Sequence, residues 1–368
     1  MNDTPEEVNR PPVAAWGAVA ESPTESTSRE PFSFTGTGRE YFGIWIVNVL
    51  LTIVTLGIYS AWAKVRSTRY FYDNTYVAGA SFDYHGNPKA ILKGRLIALV
   101  MVLSYNFAFK FSWILGVVTA SIVASIAPWL IWKSLQFKLH NSSYRGIRFG
   151  FRGSLGGAYE TYLKMPFIAV ITLGFGIPFM SQRIKRFQHE ESRFGSTHFT
   201  FTASVKRFYM TYGWILLIAV VSAVAIMIVG FLFGFVTSGY KRGGGMGAVA
   251  AFTVFLLVIY LPMFVLAAIF RSMIQNLVWN HTQLGDHAFE YRLEWSRLAG
   301  IYLTNLLAIL FTIGLYTPFA KIRLRKYLLE SMTLVRQGSI DDFGAQAESP
   351  SGAIGEGAMD LMDFDISL

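Results

Sequence analysis

The sequence predicts an all-α polytopic integral membrane protein with internal repeats, two units and a part-unit, over seven apolar segments. Three observations carry this. Of 368 residues, 53% are hydrophobic and only 15% charged, with a mean hydropathy of +0.40; soluble domains hold about 25% charged residues. The apolar residues fall in blocks that reach the roughly 20 residues needed to span a bilayer. One string recurs three times, Thr55-Leu56-Gly57-Ile58-Tyr59, Thr172-Leu173-Gly174-Phe175-Gly176 and Thr312-Ile313-Gly314-Leu315-Tyr316, each ending an apolar run and turning basic.

Taken in order, residues 1–30 are rich in Pro, Ser, Thr and Glu and read as a disordered tail. They lack the basic start and apolar core of a cleavable leader. Short aromatic alternations follow at Phe32-Ser33-Phe34, Phe82-Asp83-Tyr84, Phe149-Gly150-Phe151, Phe199-Thr200-Phe201 and Phe289-Glu290-Tyr291. Each has the pattern of a short strand and is expected at one membrane interface. Phe32 to Phe149, Phe82 to Phe199 and Gly57 to Gly174 are all 117 residues apart; Gly174 to Gly314 and Phe149 to Phe289 are 140. The units are therefore 31–148 and 149–288, with a terminal part-repeat at 289–336 and an acidic tail at 337–368. Each full unit holds one motif segment (41–63, 159–180, and 298–320 in the part-repeat) and one longer apolar block (96–132, 209–270) that folds as a helical hairpin.

Charge decides between two topologies. Full crossing of all seven segments spreads the basic residues on both sides. If the motif segments instead re-enter and return, 26 basic residues lie on one side and three, Lys110, Lys241 and Arg242, on the other. The positive-inside rule favours re-entry. The break residues agree: Gly57, Gly174 and Gly314 suit a left-handed helix cap, and Pro178 and Pro318 suit the start of a second helix. Both tails then lie on the cytoplasmic side.

The residues of the first unit, Phe32-Ser33-Phe34-Thr35-Gly36-Thr37-Gly38, Glu40-Tyr41-Phe42, Val47-Asn48-Val49-Leu50-Leu51-Thr52, Thr55-Leu56-Gly57-Ile58-Tyr59, Trp62 and Arg69-Tyr70, resemble the YjgN family of bacterial inner-membrane proteins. The resemblance is strongest over 32–95 and extends over 31–336. It implies a bacterial inner-membrane location. The family's molecular function is uncharacterised, so the resemblance brings no catalytic residues with it.

The absence of cysteine excludes disulfides, thiolate metal sites and a cysteine nucleophile. Gly36-x-Gly38 lacks the third glycine of a dinucleotide loop. His85, His140, His189, His198, His281 and His287 show no metal-ligand spacing. No enzyme, cofactor or metal site is expected. The net charge of +9 is read as topology and lipid contact rather than nucleic-acid binding.

Three sets of residues stand out. Asn48 and Asn305, at one position of two motif segments, either line a polar path or hydrogen-bond between helices; the second is the plainer reading. Glu160 and Lys164 form either an ion site or a neutralised i,i+4 pair near the interface. Arg66, Arg183 and Arg323, followed by Arg69, Arg186 and Lys326, either bind anionic lipid headgroups or only set topology. The first expectation is transport or channel activity for a small solute or ion, drawn from the repeated broken helices. The alternative is a non-transporting membrane protein that binds anionic lipid or acts as a scaffold. Substrate and oligomeric state are not encoded in any motif.

Overall fold

The structure, a computed structural model, describes residues 27–238 and 245–337. Of the tails read at 1–30 and 337–368, residues 1–26 and 338–368 lie outside the described residues, as does the Gly-rich loop at 239–244, while Ser28–Glu30 belong to the first strand. In chain order the elements are β1 (Ser28–Pro31), β2 (Ser33–Phe34), α1 (Gly38–Val54), α2 (Ser60–Asp73), β3 (Thr75–Val77), β4 (Ala80–Tyr84), α3 (Pro88–Phe111), α4 (Trp113–His140), β5 (Ser142–Tyr144) and β6 (Ile147–Phe151). Then come α5 (Leu155–Tyr159), a π-helical turn (Glu160–Lys164), α6 (Met165–Ile171), α7 (Ile177–Glu190), β7 (Ser192–Phe194) and β8 (Thr197–Phe201). The remainder is α8 (Val205–Ser238), α9 (Gly245–Trp279), β9 (Thr282–Leu284), β10 (His287–Tyr291), α10 (Trp295–Phe311), α11 (Thr317–Glu330) and β11 (Met332–Arg336).

The all-α expectation is overturned. Eleven strands form one antiparallel sheet in the order β1-β11-β10-β9-β8-β7-β6-β5-β4-β3-β2. β1 and β2 are one extended segment interrupted at Phe32, whose N–H donates to Met332 O at 3.0 Å. Its first half pairs with β11 (Ser28↔Arg336) and its second with β3 (Ser33↔Tyr76). The sheet thus comes round on itself as a barrel-like ring, and closure is what removes exposed edges from a sheet.

The five aromatic alternations are strands of this ring, one each from β1–β2, β4, β6, β8 and β10. Residues i and i+2 of a strand share a face, so both aromatics of each point the same way. Phe32 stacks on Phe82 (centroids 6.3 Å), Phe82 on Phe149 (6.4 Å) and Phe199 on Phe289 (6.4 Å). Tyr144 and Phe194 fill between them, 4.8 Å from Phe82 and 4.9 Å from Phe149. With Val77, Leu284 and Leu334 these rings form the core. Ser33, Asp83 and Thr200, between the aromatics, are exposed.

The partner strands β3, β5, β7 and β9 are three residues long and arrive directly from a helix. At each joint a buried hydroxyl donates back to the helix: Thr75 to Phe71 O (2.7 Å), Ser142 to Lys138 O (2.8 Å), Ser192 to Gln188 O (2.6 Å) and Thr282 to Val278 O (2.9 Å). Two-residue turns then reverse the chain. Ala78-Gly79 and Arg145-Gly146 hold both residues at positive φ, the pattern of a type I′ hairpin.

Between β-hairpins the chain makes five helical pairs, in the order short, long, short, long, short. Of the seven apolar segments read from the sequence, four have the length of a membrane span. Among the described residues four helices are long and apolar enough to cross a membrane: Pro88–Phe111, Trp113–His140, Val205–Leu232 and Pro262–Trp279. The motif segments are instead helix–turn–helix pairs. α1 has 17 residues and α2 has 14, about 25 and 21 Å of rise, short of the roughly 30 Å hydrocarbon core. Both ends of each pair feed neighbouring strands of the ring, so every pair leaves and returns at the ring.

Candidate functional site

The three short hairpins carry all the residues singled out as break points or cation rows, and their geometry repeats. The left-handed residue is not the glycine but the one before it: Leu56, Leu173 and Ile313 have φ of 50°, 51° and 50°. The glycines follow at 92°, 90° and 88°, a region that only glycine enters without strain. Gly57 N–H donates to Thr52 O (2.7 Å), Gly174 N–H to Ala169 O and Gly314 N–H to Ile309 O (both 2.8 Å). These are the 6→1 bonds of a Schellman close. Pro178 and Pro318 each sit in the first turn of the second helix, where a missing N–H leaves no gap.

The tips are apolar and bare. Leu56, Leu173 and Ile313 are 93%, 89% and 94% exposed. Such residues belong in hydrocarbon rather than water.

Asn48 and Asn305 hold the hairpin arms together. Asn48 Nδ2 donates from α1 to Ala63 O of α2 at 3.4 Å, and Asn305 Nδ2 from α10 to Ala320 O of α11 at 3.2 Å. Both are buried, and the Oδ1 of each has no protein donor. The middle hairpin has Met165 in place of the amide, and its Gln182 donates outside the hairpin, to Ala203 O between β8 and α8 at 3.1 Å.

The two cation rows differ. Arg186 binds Glu190 through Nε at 2.8 and 2.9 Å, and Lys326 lies 3.8 Å from Glu330. Arg69 stands one turn before Asp73 and donates to Tyr84 O at 3.4 Å. This row is matched by an acid one turn on. The other row is not. Arg323 donates to Thr304 Oγ1 at 2.7 Å, Arg183 lies 5.1 Å over the Phe179 ring, and Arg66 is exposed. None of the three has a carboxylate partner among the described residues. Glu160 and Lys164 form a 3.7 Å pair, each more than half exposed.

The first and last short hairpins meet beside these arms. α1 packs on α11, Phe42 lies 5.7 Å from Phe319, and Arg325 reaches to 5.7 Å over Phe71. Tyr70 OH joins α2 to the start of α1, accepting from Thr37 N–H at 2.8 Å; Tyr327 OH does the same for α10, accepting from Glu294 N–H at 3.1 Å.

Two of the histidines are held by neighbouring side chains. His85 Nε2 lies 2.8 Å from Ser143 Oγ, and His189 is stacked on Phe201 (5.6 Å) and edge-on to Trp279 (5.3 Å). Burial pushes His189 down to about 3. Among the described residues no three His, Asp or Glu side chains are placed to hold a metal ion. The sequence reading missed the acids Asp73, Glu190 and Glu330, whose i,i+4 spacing is plain once the helix is drawn.

Comparison with known proteins adds a family. The model described as "Bacterial protein of unknown function (DUF898)" matches residues 29–361. The inner membrane protein YjgN of Salmonella typhimurium (strain LT2) is 32% identical over 141 residues, 38% of this chain and 36% of that protein. That of Escherichia coli (strain K12) is 32% identical over 149 residues, 39% of this chain and 36% of that protein. The matched stretch thus spans little more than a third of these relatives. No solved structure matches the chain.

Proposed function

Because this chain belongs to the DUF898 family of bacterial proteins, and relatives in it are named as inner-membrane proteins, we propose that it is an inner-membrane protein that gathers anionic lipid headgroups around its ring-side face. The ring faces the cytoplasm, where the 26 basic residues belong. The observation that carries the lipid reading is the pairing asymmetry. One cation row has acids one turn on, whereas Arg66, Arg183 and Arg323 have none, and each sits on a helix that descends from an apolar tip. A guanidinium that meets no carboxylate of its own suits a phosphate. The aromatic packing inside the ring speaks against a solute path along its axis. The repeated broken helices are the feature a transport reading would draw on. The proposal assigns no catalysis.

The test compares wild type with R66A/R183A/R323A after gentle detergent extraction. The triple variant is expected to lose most of its co-purified phosphatidylglycerol and cardiolipin. Wild-type retention in the variant, or solute flux above protein-free liposomes for the wild type, would sink the reading.

A further inference from the structure

The first arm of the middle short hairpin, α5 and the π-helical turn, packs against the ring-side half of the long helix α4. Above that level α4 keeps an apolar side without a neighbour: Ile114, Leu115, Val118 and Ile122 are 57%, 48%, 50% and 55% exposed. Beside Tyr159 lies a shallow, open groove of about 480 Å³ along α4, lined chiefly by Val118, Ser121, Ile122, Ser125, Ile126 and Tyr159. The serines add little polarity, because their hydroxyls are spent on their own helix: Ser121 donates to Val117 O (2.9 Å) and Ser125 to Ser121 O (2.8 Å). The wall is effectively hydrocarbon.

The helix supplies two charges just beyond the groove. Glu160 follows Tyr159 directly, and Lys164 stands one turn on, 3.7 Å from it, with both side chains more than 60% exposed. These five residues form the π-helical turn, a geometry that is rare and concentrates at functional sites. The other short hairpins carry Gly43 and Val47, or Gly300 and Thr304, at the same positions and stay α-helical. The charges, the π-turn and the aromatic Tyr159 occur together only beside the groove. An exposed ion pair contributes little to stability, so stability does not account for this placement.

We propose that the groove and the Glu160–Lys164 pair form a binding site for one zwitterionic phospholipid bearing a primary ammonium. One acyl chain lies along α4, Lys164 meets the phosphate and Glu160 meets the ammonium. The two charges of the site match the two of the headgroup. A quaternary ammonium offers no N–H to Glu160, and an anionic headgroup brings it no cation. Glu160 lies six residues past the helix start at Ser154, about 9 Å of rise, and the Lys164 stem can extend toward the headgroups. The site shares no residue with the arginine row and stands independently of that proposal.

Native mass spectrometry of the full-length protein, titrated with phosphatidylethanolamine, phosphatidylcholine or phosphatidylglycerol, tests this. Wild type should hold one phosphatidylethanolamine with a preference of about tenfold over phosphatidylcholine, the worth of one charge-assisted hydrogen bond. E160Q should lose that preference, E160K should turn it toward phosphatidylglycerol, and S125W should abolish retention by filling the groove. R66A/R183A/R323A should keep it, whatever becomes of bulk anionic lipid. Equal binding of the two zwitterionic lipids by wild type, or an unchanged preference in E160Q, would overturn the proposal. E160Q changes only an exposed side chain, so it remains decisive if S125W fails to fold.

Discussion

Thr55 Oγ1 accepts a hydrogen bond from the N–H of Tyr59 at 2.9 Å and donates to Leu51 O at 2.7 Å. One hydroxyl therefore joins the last turn of one helix to the first turn of the next. Thr172 does this between Gly176 N–H (2.8 Å) and Ile168 O (2.8 Å), and Thr312 between Tyr316 N–H (3.0 Å) and Ala308 O (2.7 Å). In hydrocarbon a helix terminus has no water to fall back on, which explains why threonine stands two residues before each break glycine. Thr55→Val should cost about 1–2 kcal/mol by leaving the Tyr59 N–H unmet. A lower thermal midpoint in detergent would report it, and Thr55→Ser should recover most of the loss. Equal loss in both variants would assign the effect to the threonine methyl.

A second prediction concerns the glycine that closes the first three aromatic motifs. A Cβ on Gly153 would stand 2.7 Å from the Phe151 ring and 2.8 Å from that of Phe187. Those rings pack edge to face at 5.5 Å, so neither yields without moving the other. Gly153→Ala should destabilise by about 1–3 kcal/mol, as overpacked cores do. Gly43, inside α1 with open space around it, is the contrast: Gly43→Ala should stabilise by about 0.5–1 kcal/mol. Thermal midpoints that move the same way in both variants would refute the packing argument.

These two motifs also mark how far sequence reading carries. The aromatic alternations are legible as strands because each has a period of two, and four of the five run five residues. Their partners Thr75–Val77, Ser142–Tyr144, Ser192–Phe194 and Thr282–Leu284 are three residues long, too short for any period. High hydropathy then tipped the fold class toward helix alone. The turn pairs Ala78-Gly79, Arg145-Gly146, Gly195-Ser196 and Gly285-Asp286 were the available signal. At the candidate site, the arginine row was legible from the 117- and 140-residue offsets. The groove was not, because it depends on α4 and Tyr159 coming together from two different hairpins.

Stability should fall with acid through His189. Burial, and secondarily the Lys185 charge, push it down to about 3 at the ring end of α7, whereas an unperturbed histidine titrates near 6.5. The neutral ring contributes fully above pH 6.5, and that contribution is lost as pH drops toward 3, because the unfolded chain takes up a proton that the folded chain refuses. Between pH 7.5 and 5 the loss is about 2 kcal/mol. His287, also held down chiefly by burial, adds in the same direction. Thermal midpoints across that range should flatten in His189→Gln, leaving the smaller His287 slope. An undiminished slope would show that His189 is not the group responsible.

The chain has no cysteine, so single cysteines report topology on a silent background. Lys110, at the far end of α3, and Ser196 and Asp286, in β-turns of the ring, are all exposed. α3 rises about 36 Å from the ring, enough to carry Lys110 across the bilayer. Lys110→Cys should therefore react with a membrane-impermeant maleimide on intact spheroplasts. Ser196→Cys and Asp286→Cys should react only in inverted vesicles. Leu173→Cys decides the short hairpins. Its arms are too short to cross, and the residue is 89% exposed at the tip, so it should resist the impermeant reagent from both sides and yield to a lipid-soluble one. Labelling of Leu173→Cys from the Lys110 side would mean that the middle hairpin traverses the membrane. The one-sided count of 26 basic residues would then have to be explained by something other than re-entry.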